Sequence, residues 1–253
     1  MGFYEYDEDG NRSLLGIPFP EIRKNFDGKD KEYLSELANT YLALMDKLME
    51  KSANKETYKT WLLSTDFFKA PSSTKYHSAF IGGLLYHSLL VLECLVSKIE
   101  NNPVWTSTLE NTSLNKIVFV ALTHDYCKIN FYNTYLQNKK VYSDAGTKQD
   151  NNGKFDWEAV VCFNVNENFT YGHGEKSVYL IEHHFFRLDK EMAQAIRGHM
   201  GFSVEENTVN LFQNIVKQCP LALALSEADQ EAAMLYEYFD RPEPSPVGYG
   251  MDY

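Results

Sequence analysis

The chain has 253 residues, of which 44% are hydrophobic, and its formal net charge at pH 7 is −11. This length fits one large domain or a domain with appendages, and the apolar content excludes a disordered protein. The acidic balance is the reverse of a duplex-binding surface, so it disfavours a general nucleic-acid-binding protein. A small phosphate ester stays compatible with this charge, because a bound cation would dominate the field around it.

The sequence carries no signal for a membrane or for an oxidising compartment. No apolar run approaches the roughly 20 residues of a membrane helix, and the acidic residues 1–9 lack the apolar core of a signal peptide. The cysteines are far apart, which indicates neither a zinc knuckle nor a disulfide framework. We therefore expect a cytoplasmic protein with reduced thiols. The cysteines are Cys94, Cys127, Cys162 and Cys219.

Helical periodicity dominates the chain after an N-terminal arm of low periodicity, residues 1–28. Apolar residues recur at spacings of three and four, which is typical of amphipathic helices, and Asp189 is a candidate N-cap. The predicted helices cover about residues 29–51, 55–63, 84–99, 114–125, 174–184, 190–199 and 209–217, and a last long helix begins at Pro220.

The pattern changes after Asn130. Segments 139–142 and 155–163 are aromatic and β-branched and flank turn-forming residues, which predicts a β-hairpin near residues 139–163. Alternating prolines predict an extended tail. The expected fold class is mainly α, with an inserted hairpin. Its expected parts are an arm with helices over 1–74, a helical core domain over 75–238 and the tail over 239–253.

Metal-type side chains occur inside otherwise apolar segments. The pair His124-Asp125 ends an apolar helical run, His87 lies within a second apolar helix, and Asp229 lies deep in a third. Burying such groups without a partner is costly, and a divalent ion would satisfy them. A single histidine on an apolar face is more typical of a hydrogen-bonded core residue, so only the joint pattern favours metal. These donors suit a divalent ion (Mn, Fe, Co, Ni, Mg or Zn) and not a thiolate-type structural zinc site.

The order His, His-Asp, Asp resembles the signature of the HD-domain metal-dependent phosphohydrolases. The four positions of that signature are matched by His87, His124, Asp125 and Asp229. The resemblance spans about residues 75–238. Residues 82–89, Gly-Gly-Leu-Leu-Tyr-His-Ser-Leu, also resemble the Gly-Gly-Leu-Leu-Glu-His-Thr segment of certain bacterial 3′→5′ exoribonucleases. The resemblance implies an HD-domain helical bundle and hydrolysis of phosphate esters, but it says little about the substrate.

Two further histidines bear on the number of ions. HD proteins with two or more metals place additional histidines between the His-Asp pair and the last Asp, where this chain has His173 and His199. The resemblance thus implies a second ion that shares Asp125 as a bridge. The alternative is that His173 caps a helix and His199 lines the cleft. His183 and His184 are left out of the predicted ligand set.

Lys128 follows the His-Asp pair by three residues. Some HD nucleotidases carry a carboxylate there as a catalytic acid, whereas HD-GYP phosphodiesterases and the exoribonuclease module carry a lysine. We predict Asp125 and Lys128 as catalytic residues, with Lys128 contacting substrate phosphate and stabilising charge in the transition state. The alternative is a surface lysine favoured by the helix dipole. His77 and Arg197 are further candidates for phosphate binding.

The predicted function is a phosphohydrolase or phosphodiesterase that attacks a small nucleotide or short oligonucleotide with metal-activated water. Glu175 and His173 are candidates for the general acid. Alternatives are a 3′→5′ exonuclease on single-stranded nucleic acid, a non-catalytic nucleotide-binding HD protein and a di-iron oxygenase. The expected partner is a small phosphorylated substrate, with a nucleotide favoured, and neither a membrane nor a stable nucleic-acid duplex is expected. A homo-oligomer is compatible with the sequence. Four aromatic residues are candidates either for stacking on a base or for packing the hairpin: Tyr132, Tyr135, Tyr142 and Trp157.

Overall fold

A computed structural model describes residues 2–167, 169–201 and 208–238. About 49% of it is helical, and two small sheets accompany the helices, so the fold is mixed with helices dominant. The expected tail over 239–253 lies outside the described residues. Within the described ranges, no helix is long and apolar enough to cross a membrane.

The N-terminal arm is a small sheet, which the sequence did not predict. Its antiparallel strands are β1 (Tyr4–Tyr6), β2 (Arg12–Leu14) and β3 (Ile17–Pro18). Leu14 and Phe19 are buried in the main core, and Arg12 forms an ion pair with Glu93 of a core helix. Strands of two or three residues are too short to show an alternating pattern, so this arm had no periodic signal.

The helices lie close to their predicted positions, and several begin at a side-chain cap. Asp30, Ser113 and Asp189 each accept a hydrogen bond from the backbone N–H three residues later, so the Asp189 cap is confirmed. The first five helices are α1 (Lys31–Leu48), α2 (Lys55–Ser64), α3 (Gly83–Asn101), α4 (Pro103–Thr108) and α5 (Leu114–Thr123). Of these, α4 was not predicted, because six residues carry too little periodicity.

The inserted hairpin is longer than its predicted bounds. After α5 and a 3-10 turn come β4 (Tyr132–Tyr142), β5 (Lys148–Asp150) and β6 (Gly153–Val165), in the antiparallel order β4-β6-β5. The predicted start at residue 139 was therefore wrong by seven residues. Most of β4 is exposed. Its polar residues hid the alternation that marks a half-buried strand.

Helix α3 forms the centre of the core. It is apolar nearly all round, which is the pattern of a buried helix, and it packs against α1, α5 and the last long helix. The remaining helices are α6 (His173–His184), α7 (Lys190–Gly198), α8 (Thr208–Gln218) and α9 (Pro220–Glu231), and α9 continues into a π-helix over Ala232–Tyr236. The packing of α3, α5, α7 and α9 brings four metal-type segments together.

Candidate metal centre

His124 and Asp125 lie where α5 ends. His124 is the C-cap residue, and its Nδ1 lies 2.8 Å from the carbonyl oxygen of Ala121. That carbonyl is free of an intrahelical partner because the helix stops. Donation from Nδ1–H leaves Nε2 as the unprotonated nitrogen. The carboxylate of Asp125 is only 3% exposed and lies beside this nitrogen, with Oδ2 3.6 Å from Nε2.

His199 is held in the same way at the end of α7. It is the C-cap residue, and its Nδ1 lies 2.6 Å from the carbonyl oxygen of Ile196. Its Nε2 is buried, has no hydrogen-bond partner and lies 3.5 Å from Oδ1 of Asp125. Two helix ends therefore present equivalent imidazole nitrogens to the same carboxylate.

His87 approaches this carboxylate from α3, and Asp229 approaches from α9. Nε2 of His87 lies 3.3 Å from Nε2 of His124, 3.3 Å from Oδ2 of Asp125 and 3.1 Å from Oδ1 of Asp229. Donors about 2.1 Å from one ion lie roughly 3.0–3.4 Å apart in octahedral or tetrahedral arrangements. His87, His124 and Asp125 are close enough to share one ion.

Lys128 adds a cation to the cluster. The 3-10 turn Tyr126–Lys128 directs its ammonium to within 2.5 Å of Oδ2 of Asp125 and 3.4 Å of the Ser72 hydroxyl. The backbone N–H of Cys127 donates to the Ser177 hydroxyl at 2.9 Å, which ties this turn to α6. Lys128 is therefore not a free surface lysine.

The pKa values show which groups are charged around the cluster. Burial lowers the pKa of His124 to about 4, so this imidazole is neutral at pH 7. Burial alone would raise the pKa of Asp125, but Lys128 and the neighbouring imidazoles outweigh it and hold the pKa well below its usual range. For His87 burial acts to lower the pKa, but Glu237 and the aspartates outweigh burial and raise it. The cluster therefore favours positive charge at its centre.

Formal charges support the same conclusion. Among the described residues, the carboxylates of Asp125, Asp229 and Glu237 face the ammonium of Lys128, which leaves a formal charge of −2 with neutral histidines and −1 with His87 protonated. Uncompensated charge in a buried site is costly, and one divalent ion would balance it. Imidazole nitrogens and carboxylate oxygens are donors that fit the predicted divalent ion.

His77 and Glu237 form a second layer behind His87. The His77 ring lies 5.2 Å from the His87 ring, its Nε2 has no hydrogen-bond partner, and burial lowers its pKa to about 4. Glu237 accepts a hydrogen bond at Nδ1 of His87. Glu237 was not predicted from the sequence, because it lies beyond α9 and no periodic pattern marks it. His77, predicted to bind phosphate, thus lies beside the cluster.

The other predicted residues lie outside the closest group of donors. His173 begins α6 and is exposed, with Nδ1 3.3 Å from Sγ of Cys127. Arg197 is exposed and donates from Nε to Glu175 at 2.9 Å. His184 ends α6 stacked on a tryptophan ring. The roles of His173 in metal binding and of Arg197 in phosphate binding stay predictions.

Comparisons with known proteins give no family for this chain. A scan against protein-family models gave no match, and searches of the curated proteins and of the solved structures gave none either. Function is therefore inferred from the geometry of the site and from the motif order of the sequence.

Proposed function

We propose that the chain is a metal-dependent phosphohydrolase or phosphodiesterase of the HD-domain type, acting on a small nucleotide. One observation carries the proposal: metal-type side chains from four helices meet in one cluster beside the partly buried Lys128. They are His87, His124, Asp125, His199 and Asp229. The order of these residues along the chain supports the HD type.

The proposed ion is a divalent cation held by His87, His124, Asp125 and Asp229, with His199 as a donor to the same ion or to a second one. Such an ion supplies a water of lowered pKa and polarises a phosphoryl oxygen. The protein fixes the direction of each donor. Hydrogen bonds at Nδ1 orient all three imidazoles, and helix packing holds the carboxylates against them.

Lys128 is the residue best placed to bind phosphate. Its ammonium lies on Asp125 and is 12% exposed, so it borders both the donor cluster and solvent. An incoming phosphoryl oxygen would gain a charged hydrogen bond there, and this bond would strengthen as charge develops in the transition state. Ser72 and Tyr132 hold the loop opposite, where the Tyr132 hydroxyl donates to the Ser72 carbonyl at 3.2 Å.

A small substrate fits the charge of the molecule better than a polymer does. The net charge of −11 repels a polyanion at long range, whereas the few charges of a nucleotide can be balanced by the ion and by Lys128. The exonuclease alternative needs a basic track along the strand, which the acidic composition of the chain disfavours.

The test is metal analysis combined with a screen of phosphate release. The protein is stripped with a chelator, reloaded with single divalent metals, and assayed on nucleoside mono-, tri- and cyclic phosphates and on a 20-mer RNA. We expect metal-dependent turnover of a small nucleotide that mononucleotides inhibit. Processive RNA degradation with no reaction or inhibition by mononucleotides would instead establish the exonuclease. Absence of metal binding would refute the proposal.

A further inference from the structure

We infer that Glu237 is a positioning residue of the metal centre, which holds the imidazole of His87 through Nδ1 so that Nε2 faces the ion. The inference rests on the proposed metal site, but it concerns a residue outside the signature His, His-Asp, Asp. Glu237 accepts a hydrogen bond at Nδ1 of His87, and both side chains are fully buried. A buried carboxylate needs such a partner, and His87 provides it, while the donor nitrogen of His77 lies within 4.8 Å.

His87 needs an external acceptor because of its place in the helix. His124 and His199 are C-cap residues, and each donates from Nδ1 to a backbone carbonyl three residues earlier. His87 lies within α3, where the carbonyl three residues earlier, that of Leu84, accepts the Ser88 hydroxyl at 2.8 Å. His87 therefore cannot donate to the carbonyl three residues earlier, as the two helix-end histidines do, and it needs another acceptor.

The segment that carries Glu237 is built to deliver it. The chain leaves α9 through a π-helix over Ala232–Tyr236, and the N–H of Glu237 donates to the Ala232 carbonyl at 3.0 Å. Single π-turns are rare in proteins, and those that occur are often found at functional sites. The flanking carbonyl of Tyr236 accepts the Asn25 N–H at 2.6 Å, and that of Tyr238 accepts the Ser78 N–H at 3.0 Å. Both sides of Glu237 are thus fixed to loops of the core.

One C-terminal segment therefore holds both nitrogens of a single imidazole. Asp229 lies 3.1 Å from Nε2, and Glu237 binds Nδ1. A carboxylate behind a metal-binding histidine fixes its tautomer and raises its basicity, and losing such a partner typically costs about 10–100-fold in metal affinity. We therefore expect the affinity of His87 for the ion to depend on Glu237, a residue outside the His, His-Asp, Asp motif.

The experiment compares Glu237→Gln and Glu237→Leu with matched changes at Glu231. Gln keeps an acceptor for Nδ1 but loses the charge, whereas Leu removes the acceptor and keeps the volume. Glu231 lies on the same segment, is partly exposed and pairs with Lys98 at 3.3 Å, so Glu231→Gln and Glu231→Leu are the controls. The dissociation constant of Mn²⁺ is measured by competition with a chelator, and melting temperatures are taken with and without Mn²⁺.

We expect Glu237→Leu to weaken Mn²⁺ binding about 10–100-fold and Glu237→Gln to weaken it less, with both Glu231 variants within twofold of wild type. The rise in melting temperature on adding Mn²⁺ should shrink in the same order. A purely structural role would lower the melting temperature equally with and without metal and leave the dissociation constant unchanged, which would overturn the inference. If Glu237→Leu does not fold, Glu237→Gln decides alone.

Two other results would also overturn the positioning role. Loss of one of two bound ions in Glu237→Gln, with unchanged affinity for the other, would make Glu237 a direct ligand of an ion shared with His77 and His87. Failure of the wild-type chain to bind Mn²⁺ would refute the metal centre itself. The two failures are distinguishable, because only the second removes binding from the wild-type protein.

Discussion

The donor cluster and the β4–β6 hairpin hold their side chains in opposite ways. In the cluster, the imidazoles of His87, His124 and His199 are buried, and each is restrained by a hydrogen bond from Nδ1 to Glu237 or to a helix-end carbonyl. On the hairpin, Leu136 and Trp157 are 71% and 51% exposed on one face, across the strand pair from Val161 and Lys140. Position-sensitive chemistry therefore fits the restrained cluster, whereas the hairpin presents exposed side chains to solvent.

The largest effect is expected at Asp125, which contacts three imidazoles and Lys128. Asp125→Ala should abolish metal retention and activity, because no other carboxylate bridges these groups among the described residues. Metal content and phosphate release after chelation and reloading are the measurements. Asp144→Asn, on an exposed turn of the hairpin, is the control and should match wild type. Full activity of Asp125→Ala would contradict the claim that activity depends on the cluster and not on the hairpin.

The second largest effect, a loss of turnover, is expected on changing Lys128. Lys128→Met should lower kcat by about 10²–10³-fold on phosphate esters while metal content stays unchanged, because a charged donor to the transition state is lost. The matched control is Lys140→Met on the hairpin, where the ammonium pairs with Asp150. Equal kinetics for both variants would mean that Lys128 has no special role in the reaction.

A smaller effect separates His199 from His173. His199→Ala should weaken metal binding by at least about tenfold, because its free Nε2 faces Asp125. If a second ion is held by both histidines, His173→Ala should also reduce the number of ions from two to one, as measured by metal analysis. Unchanged stoichiometry in His173→Ala would leave His173, which contacts Cys127, outside the metal site.

The smallest effect is expected on the hairpin. Trp157→Ser should leave metal affinity unchanged and alter the free energy of unfolding by less than about 0.5 kcal/mol, because the side chain is half exposed. If a base stacks there, KM should rise about tenfold, which is near the lower end of measured stacking energies. Leu136→Ser on the same face is the control without a ring. A changed metal content in Trp157→Ser would contradict the separation of the two regions.

The sequence was informative where polar groups interrupt apolar helices. His87, His124, Asp125 and Asp229 stand out because burial of such groups needs a partner, and the structure brings all four together. Glu237 could not be found in this way, because it lies beyond α9 and is placed by a π-helix that no sequence pattern predicts. The N-terminal sheet and the first half of β4 were missed for a related reason: short or exposed strands lack alternation.

The most direct test of the central claim is anomalous diffraction from crystals of the Mn²⁺-loaded protein. A metal centre predicts a peak about 2.0–2.3 Å from Nε2 of His87 and His124 and from carboxylate oxygens of Asp125 and Asp229. A second peak beside Asp125 and His199 would establish two ions. Crystals that show Mn²⁺ only at surface carboxylates, with the cluster empty, would contradict the account.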